Sequence, residues 1–249
     1  MKSCPVFCRA GIFERSLFMF QFDKKTLRVA AIIAAGGSSR RMGFDKLTAE
    51  IGGETVIAKT IRAFESSKII DEIVIVCPND RIELFKSLVK QNNFTKLKAI
   101  ASGGETRQKS VFNGVNAVSK NIDILCIHDG ARPLVSQRVI ADSVAACAEY
   151  GAATAAVKVK DTIKQAKSCI IEKTIPRDSL YQIQTPQVFN RELYLKAYHN
   201  AKEDYSDDCQ LLESIGQKVA ISEGDYKNIK LTTAEDMIIA KAFFKYEEA

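Results

Sequence analysis

Three shortages narrow the kinds of protein that this chain of 249 residues could be. It has only 5 Pro and 13 Gly, so it is neither a collagen-like repeat nor a low-complexity chain. It has no run of roughly 18 uninterrupted apolar residues, which argues against a membrane span. Among its seven cysteines, Cys4 and Cys8 have metal-ligand spacing but lack partners downstream. What remains is a globular chain, long enough to bury a core without disulfides or structural metals.

Most of the positive charge lies near the N-terminus. The formal net charge is +6 at pH 7, and residues 1–28 hold six Lys and Arg against two acids. The apolar residues of this segment are interrupted by charges and do not form a secretory signal. We interpret residues 1–27 as an N-terminal extension, with Met19 as an alternative start and plastid import left open. Because the rest of the chain carries only about +2, an enzyme that handles anions is favoured over a nucleic-acid-binding protein.

From residue 28 onward, short apolar runs alternate with segments of helical periodicity, which is typical of a parallel α/β sheet. Strands are predicted at residues 29–34, 72–77, 97–101, 124–127 and 153–159, and helices at 55–67, 80–91, 108–118 and 135–150. Residues 158–184 are polar and alternating, which predicts a projecting β-hairpin arm. Beyond it we expect helices at 191–203 and 207–215, strands at 218–222 and 228–231, and a last helix opened by a capping box of Thr232 and Glu235.

These patterns predict an α/β fold with a Rossmann-like, mostly parallel sheet flanked by helices. Residues 28–249 are expected to form a single domain, and the arm is expected to pair with a second copy of the chain. Cys77 and Cys126 lie in apolar strand-like runs, which indicates buried thiols and a reducing, cytoplasmic compartment.

A glycine- and serine-rich loop follows the first predicted strand. Residues 35–46, AGGSSRRMGFDK, fit neither the Gly-x-Gly-x-x-Gly fingerprint of dinucleotide-binding proteins nor the Gly-Lys-Ser/Thr of a Walker A loop. Backbone N–H groups of such a loop can still bind an anion at the carboxyl end of a strand. Because Arg41 and Lys46 add two cations, the loop predicts a triphosphate site.

Four later segments narrow this prediction: SGGETRQKSV at residues 102–111, HDGARP at 128–133, TPQ at 185–187 and NIK at 228–230. In order and spacing, they and the loop resemble the cytidylyltransferases of the non-mevalonate isoprenoid pathway, which are sugar-phosphate nucleotidyltransferases. The resemblance covers about residue 29 to the C-terminus. It implies transfer of CMP from CTP to 2-C-methyl-D-erythritol 4-phosphate with release of pyrophosphate. It also implies Mg²⁺ bound mainly through the CTP phosphates, without a set of protein ligands.

The resemblance further implies roles for individual residues. The catalytic cations would be Arg41, Lys46, Arg177 and Lys230. Nucleotide contacts would come from Ala35, Gly36, Gly37, Gly103, Gly104, Glu105, Arg107, Ser110, Asp129 and Gly130. The sugar phosphate would contact Asp129, Arg132, Thr162, Arg177, Thr185, Ser206 and Lys230. Since the family pattern brings Arg177 from the arm into the neighbouring subunit's site, an active homodimer is implied.

Two details depart from the simplest expectation. The family usually has Pro before and Gln after the loop Lys, whereas Asp45 and Leu47 flank Lys46, so we expect Asp45 to point away from the ligand or to pair with a neighbouring cation. His128 lies beside Asp129, but adjacent residues on a strand point to opposite sides, so we do not assign it as a general base.

Two alternatives stay open. One is a cytidylyltransferase for another polyol phosphate, such as ribitol 5-phosphate. The other, from a different class, is a non-catalytic nucleotide-binding or nucleic-acid-binding protein.

Overall fold

The predicted alternation of apolar runs and helical segments forms a central sheet with helices on both faces. The computed structural model describes residues 27–36 and 45–248. The strands in these ranges are β1 (Val29–Ala34), β2 (Glu50–Ile51), β3 (Glu54–Thr55), β4 (Glu72–Cys77), β5 (Leu97–Ser102), β6 (Ile124–Asp129), β7 (Ala152–Lys158), β8 (Ile163–Lys167), β9 (Ile170–Ile175), β10 (Tyr181–Asn190) and β11 (Ala220–Glu223). The α-helices are α1 (Val56–Glu65), α2 (Ile82–Asn92), α3 (Arg107–Ala117), α4 (Gln137–Tyr150), α5 (Arg191–Asn200), α6 (Asp208–Glu213) and α7 (Ala234–Glu248).

The central sheet has seven strands in the order β11-β7-β10-β6-β1-β4-β5. Its neighbours pair in parallel except around β10, which runs antiparallel to both β6 and β7. The carboxyl ends of β1, β4, β5 and β6 therefore lie along one edge. In an open α/β sheet this edge is where ligands bind.

The strand β10 corrects the predicted arm. Residues 181–184 were expected to belong to the arm, but they begin a strand of the central sheet. Pro186 disfavours a central strand in sequence, because proline cannot donate to a ladder. The β7–β10 register shifts between Ile183 and Gln187, and this irregularity accommodates the proline. The hairpin itself consists of β8 and β9.

Alternate residues of β1 pack on opposite faces of the sheet, as expected for a strand buried on both sides. Ala31 and Ile33 join a cluster with α1, α4 and α7, whereas Ala30 and Ile32 join a cluster with α3, α5 and α6. Gly114 allows α3 to approach the sheet closely, since a Cβ there would lie 2.7 Å from Ile32 Cγ2.

Two predictions near the C-terminus are wrong. Residues 228–231 form no strand; they cross irregular backbone, and Leu231 N donates to Ala131 O over 2.9 Å. The last helix is capped by Asp236 and not by Glu235, because the backbone N–H groups of Thr232 and Thr233 both donate to Asp236 Oδ2. Along the described ranges, no helix is both long and apolar enough to cross a membrane.

Candidate functional site

A buried carboxylate lies at the carboxyl end of β6. Asp129 Oδ2 is 3.3 Å from Arg132 Nε and 3.1 Å from Lys230 Nζ. Burial opposes ionisation of Asp129, but Lys230, Arg132 and Arg107 outweigh it and lower its pKa to about 2. The carboxylate therefore stays charged at neutral pH and holds two cations that are distant in sequence.

A chain of hydrogen bonds holds the backbone around Asp129. Asp129 N donates to Thr185 Oγ1 over 3.1 Å, and Thr185 Oγ1 is 3.0 Å from His128 Nδ1. His128 Nε2 is 3.2 Å from Arg132 O, which can only accept, so Nε2 carries the proton and Nδ1 accepts from Thr185. Burial lowers the pKa of His128 to about 4, so the ring is neutral at pH 7 and positions the turn between Asp129 and Arg132.

The loop lysine reaches the same region. Lys46 is nearly buried, and its Nζ donates to Leu231 O over 3.0 Å. Arg132 Nη1 donates to Asn228 O over 2.7 Å, so the irregular segment 228–231 receives a cation at each end. Lys46, Arg132 and Lys230, which the sequence predicted as site residues, are thus brought to one segment of backbone.

A cavity of about 250 Å³ opens beside this segment. Its walls are Arg132, Val157, Gln182, Ile183, Gln184, Tyr226, Asn228, Ile229 and Lys230. Two cations face a mixture of amide and apolar groups, which suits a small phosphorylated polyol better than a flat apolar ligand. Thr185, expected among the contacts of this ligand, lies buried behind Asp129 and is absent from the walls.

The glycine turn after β5 is closed by a serine of α3. Gly104 N donates to Ser110 Oγ over 2.9 Å, and Ser110 Oγ donates to Thr106 O over 2.8 Å. A Cβ on Gly104 would lie 2.6 Å from Lys109 Cβ, so packing against the helix requires glycine there. Glu105 is exposed and pairs with Lys109 at 2.8 Å. This turn leaves backbone groups of residues 103–105 at the ligand-binding edge of the sheet.

Arg107 lies at the start of α3, where the turn ends. Its Nη1 is 2.7 Å from Oδ2 of the buried Asp208. The charges of Asp208 and Asp129 raise the pKa of Arg107 despite the opposing effect of burial. Arg107 therefore connects the glycine turn electrostatically to Asp129.

The first glycine loop lies only partly within the described residues. Gly37 and Arg41 are outside them. Ala35 N donates to Val76 O over 2.7 Å, while Gly36 is exposed. Asp45 pairs with Arg81 at 2.7 Å, which confirms that it pairs with a neighbouring cation. Leu47, the other residue that flanks Lys46, is buried in the core.

Of the remaining predicted residues, Thr162, Arg177 and Ser206 are exposed, and only Gly130 adjoins Asp129. Thr162 and Arg177 are exposed on or beside the arm, and a guanidinium nitrogen of Arg177 donates to Lys160 O. Ser206 is exposed before α6, and its Oγ donates to Gln210 Oε1 over 3.0 Å. Gly130 lies next to Asp129, with its N–H donating to Ala34 O over 2.9 Å. Neither Thr162 nor Arg177 lines the cavity of its own chain.

The side chains near Asp129 offer few oxygen ligands to a divalent cation. In residues 27–36 and 45–248, no group of three or more His, Cys, Asp or Glu side chains could hold a metal ion. The Asp129 carboxylate is available as one oxygen ligand. One carboxylate with substrate phosphates and waters is a common way to bind Mg²⁺, so these residues fit such an ion.

The fold and these contacts define an α/β protein with a cluster of cations around a buried carboxylate at the carboxyl edge of a mainly parallel sheet. Residues 29–246 match the family described as 2-C-methyl-D-erythritol 4-phosphate cytidylyltransferase, and the chain belongs to that family.

Similar proteins span nearly the same length. The 2-C-methyl-D-erythritol 4-phosphate cytidylyltransferase of Dehalococcoides mccartyi is 43% identical over 220 residues, which cover 88% of this chain and 96% of that protein. The enzyme of Geobacillus kaustophilus is 44% identical over 217 residues, covering 85% and 95%. A solved 4-diphosphocytidyl-2C-methyl-D-erythritol synthase from Anaerococcus prevotii superimposes with a TM-score of 0.79 at 32% identity, covering 88% of this chain and 99% of that one.

Sequence reasoning missed two residues that support the site. His128 was not assigned as a general base. Its structural role depends on a contact with Thr185, 57 residues later in the chain, and on a contact with Arg132 across a tight turn. Asp208 could not be recognised as a site residue from the sequence, because an acid next to Asp207 at the start of a short helix is typical of a helix cap. Its burial is seen only in the structure.

Proposed function

We propose that this chain transfers CMP from CTP to 2-C-methyl-D-erythritol 4-phosphate, releasing pyrophosphate, in the synthesis of isoprenoid precursors. The observation that carries the proposal is the convergence of Lys46, Arg132 and Lys230 on Asp129 and segment 228–231 in a member of this family. The glycine turn after β5 lies at the same edge of the sheet. Two phosphorylated substrates could therefore bind side by side.

In this reaction a phosphate oxygen of the acceptor attacks the α-phosphorus of CTP. The bond from that phosphorus to the bridging oxygen of the β-phosphate breaks, and pyrophosphate leaves with the electron pair. Because the acceptor supplies the nucleophile, the protein needs no covalent intermediate. Its task is to position two anions and to stabilise charge on the α-phosphate and the leaving group.

The cations divide this work by position. Lys46 and Arg41, from the first glycine loop, would bind the triphosphate and the leaving pyrophosphate. Arg132 and Lys230, which line the cavity, would hold the acceptor phosphate against the repulsion of the nucleotide. We further propose that the residues of the turn at 103–110 bind the cytosine, with backbone groups of residues 103–105 facing the base.

Mg²⁺ is part of the proposal. It would neutralise phosphate oxygens of CTP, which are its main ligands, with the Asp129 carboxylate as a protein oxygen within reach. The paired cations on Asp129 then keep this carboxylate ionised whether or not the metal is bound.

We also propose that the active form is a homodimer joined through the arm. Ile170 and Ile171 at the end of the hairpin are 72% and 61% exposed, which is unusual for two adjacent isoleucines in a folded monomer. Thr162 and Arg177 do not line the cavity of their own chain, so a partner's arm would bring them to it. A soluble homodimer in the cytoplasm agrees with the buried thiols of Cys77 and Cys126.

The function is tested by pyrophosphate release. Each reaction contains Mg²⁺ and one nucleotide, CTP, UTP or GTP, with either 2-C-methyl-D-erythritol 4-phosphate or ribitol 5-phosphate. We expect turnover with CTP and the erythritol phosphate only. Preference for ribitol 5-phosphate would replace the acceptor. Salt-dependent binding to duplex DNA without any turnover would instead favour a nucleic-acid-binding protein.

A further inference from the structure

Three polar contacts join the start of α3 to the segment before and within α6. Thr106 Oγ1 donates to Asp204 Oδ1 over 3.2 Å, and Tyr205 N donates to Gln108 Oε1 over 2.9 Å. The third is the ion pair between Arg107 and Asp208. Three consecutive residues, the N-cap of α3 and its first two residues, thus contact a segment about 100 positions later in the chain.

Asp208 is the most deeply buried residue among these three contacts. The Asp208 side chain is 1% exposed and that of Arg107 is 31% exposed. Asp208 is fixed on its other sides, because Tyr194 OH donates to its Oδ1 over 2.9 Å and its own N–H donates to Gln187 Oε1 over 3.1 Å. The backbone of Asp208 and one of its carboxylate oxygens are thus fixed by other residues, and the second oxygen anchors the Arg107 guanidinium.

Arg107 in turn faces two parts of the proposed site. It begins α3 immediately after the glycine turn, and its charge lowers the pKa of Asp129. The segment on the far side of the pair carries Ser206, which the family resemblance assigns to the sugar phosphate. The pair therefore joins the nucleotide turn to the acceptor segment.

We infer that Asp208 is a positioning residue that fixes Arg107 and so couples the glycine turn at 103–110 to the acceptor segment at 204–208. This inference rests on the proposed function for its kinetic consequence, but the structural coupling can be measured without substrate. Asp208 itself contacts neither substrate and acts through Arg107.

The first test is hydrogen exchange of the protein without ligand. The amides of Gly104, Lys109 and Ser110 are hydrogen-bonded within the turn and report on its order. In Asp208→Asn we expect them to exchange about tenfold faster, since a charge-assisted contact of ordinary strength is lost, whereas amides of β1 keep their rates. Unchanged rates in the turn would overturn the coupling.

The second test is steady-state kinetics with CTP and 2-C-methyl-D-erythritol 4-phosphate. We expect Asp208→Asn to raise the KM for CTP about tenfold or more and to change kcat less. Tyr194→Phe is the matched control, because it removes the other side-chain contact of the same carboxylate and leaves Arg107 paired. It should lower Tm without changing the KM for CTP, and an equal rise in KM would overturn the inference.

A double variant separates positioning from general destabilisation. Asp208→Asn combined with Arg107→Met leaves no unpaired buried charge, so it provides a folded protein if Asp208→Asn alone unfolds. The effects of the two substitutions on the KM for CTP should not multiply. In the Arg107→Met background, Asp208→Asn should alter this KM less than about twofold. Independent multiplication of the two effects would contradict a shared role.

The two proposals fail in different ways. Absence of pyrophosphate release by the wild-type protein would refute the proposed function, and the exchange experiment would still decide the coupling. Normal wild-type turnover with unchanged exchange and KM in Asp208→Asn would refute the coupling alone.

Discussion

Neutralising Asp129 should remove a pH dependence from the stability of the fold. The Asp129 side chain is 11% exposed, and its pKa falls from 3.8 to about 2 in the folded protein. A carboxyl group whose pKa is lower when folded stabilises the protein above its unfolded pKa. That contribution is lost as the pH falls through the folded value.

The size of this contribution follows from the pKa shift. A shift from 3.8 to about 2 corresponds to a stabilisation of about 2 kcal/mol at pH 7. The same relation leaves about half of it at pH 3 and very little at pH 2. Other acids with lowered pKa values, such as Asp45 and Asp236, add to the acid sensitivity of the wild type but are shared by the variant.

The assay is denaturant unfolding of wild type and Asp129→Asn at several pH values between 7 and 2. The difference in unfolding free energy between the two proteins should shrink by about 1 kcal/mol from pH 7 to pH 3, and by about 2 kcal/mol by pH 2. Glu149→Gln, which removes an exposed carboxylate of α4, controls for the loss of one negative charge. A wild-type-to-variant difference that stays constant with pH would refute the assignment of Asp129 as the charged centre of the cluster.

Further predictions concern the cations and the buried histidine. Lys46→Ala should lower kcat about 10²- to 10³-fold, as expected when a transition-state donor is lost, and near-normal kcat would remove Lys46 from the mechanism. Arg177→Ala should mainly raise the KM for the sugar phosphate, and a defect confined to CTP would contradict the arm assignment. If Arg177 acts in the neighbouring subunit's site, dimers that combine one Arg177→Ala chain with one Lys46→Ala chain should recover activity. His128→Gln should keep the shape of the pH–rate profile above pH 5, because the neutral ring has a pKa of about 4, and loss of an inflection near pH 6 to 7 would show a role as a base.

The sequence predicted strand boundaries best for strands that are buried on both faces. The strands β1 and β4 have the predicted bounds, because a parallel strand covered on both faces is mostly apolar; the buried Glu72 at the start of β4 is the exception. β10 lacked that signal, since it combines polar alternation with Pro186. Only its position between β6 and β7 makes it a strand of the sheet.

The site was predictable in its residue types and less so in its contacts. Spacing and family resemblance singled out Asp129, Arg132 and Lys230, which the fold brings together. Neither source indicated that Thr185 would lie behind Asp129, because its position depends on the path of β10. Likewise, the burial of Asp208 follows from the packing of α6 against α3 and α5, which no local pattern records.

If the chain has the function proposed above, the cluster around Asp129 also explains why an acid lies in a site for two polyanions. Without substrate, Arg132 and Lys230 would repel each other, and the carboxylate between them offsets that repulsion. The two cations are not equivalent: the Arg132 side chain is 11% exposed and tied to Asn228 O, whereas that of Lys230 is 43% exposed. Because the Lys230 side chain is already partly in solvent, the proposed function makes it the cation that would turn from Asp129 toward an arriving phosphate. Asp129 would then keep Arg132 in place while Lys230 moves, and in this way the acid would position both cations for the substrate phosphates.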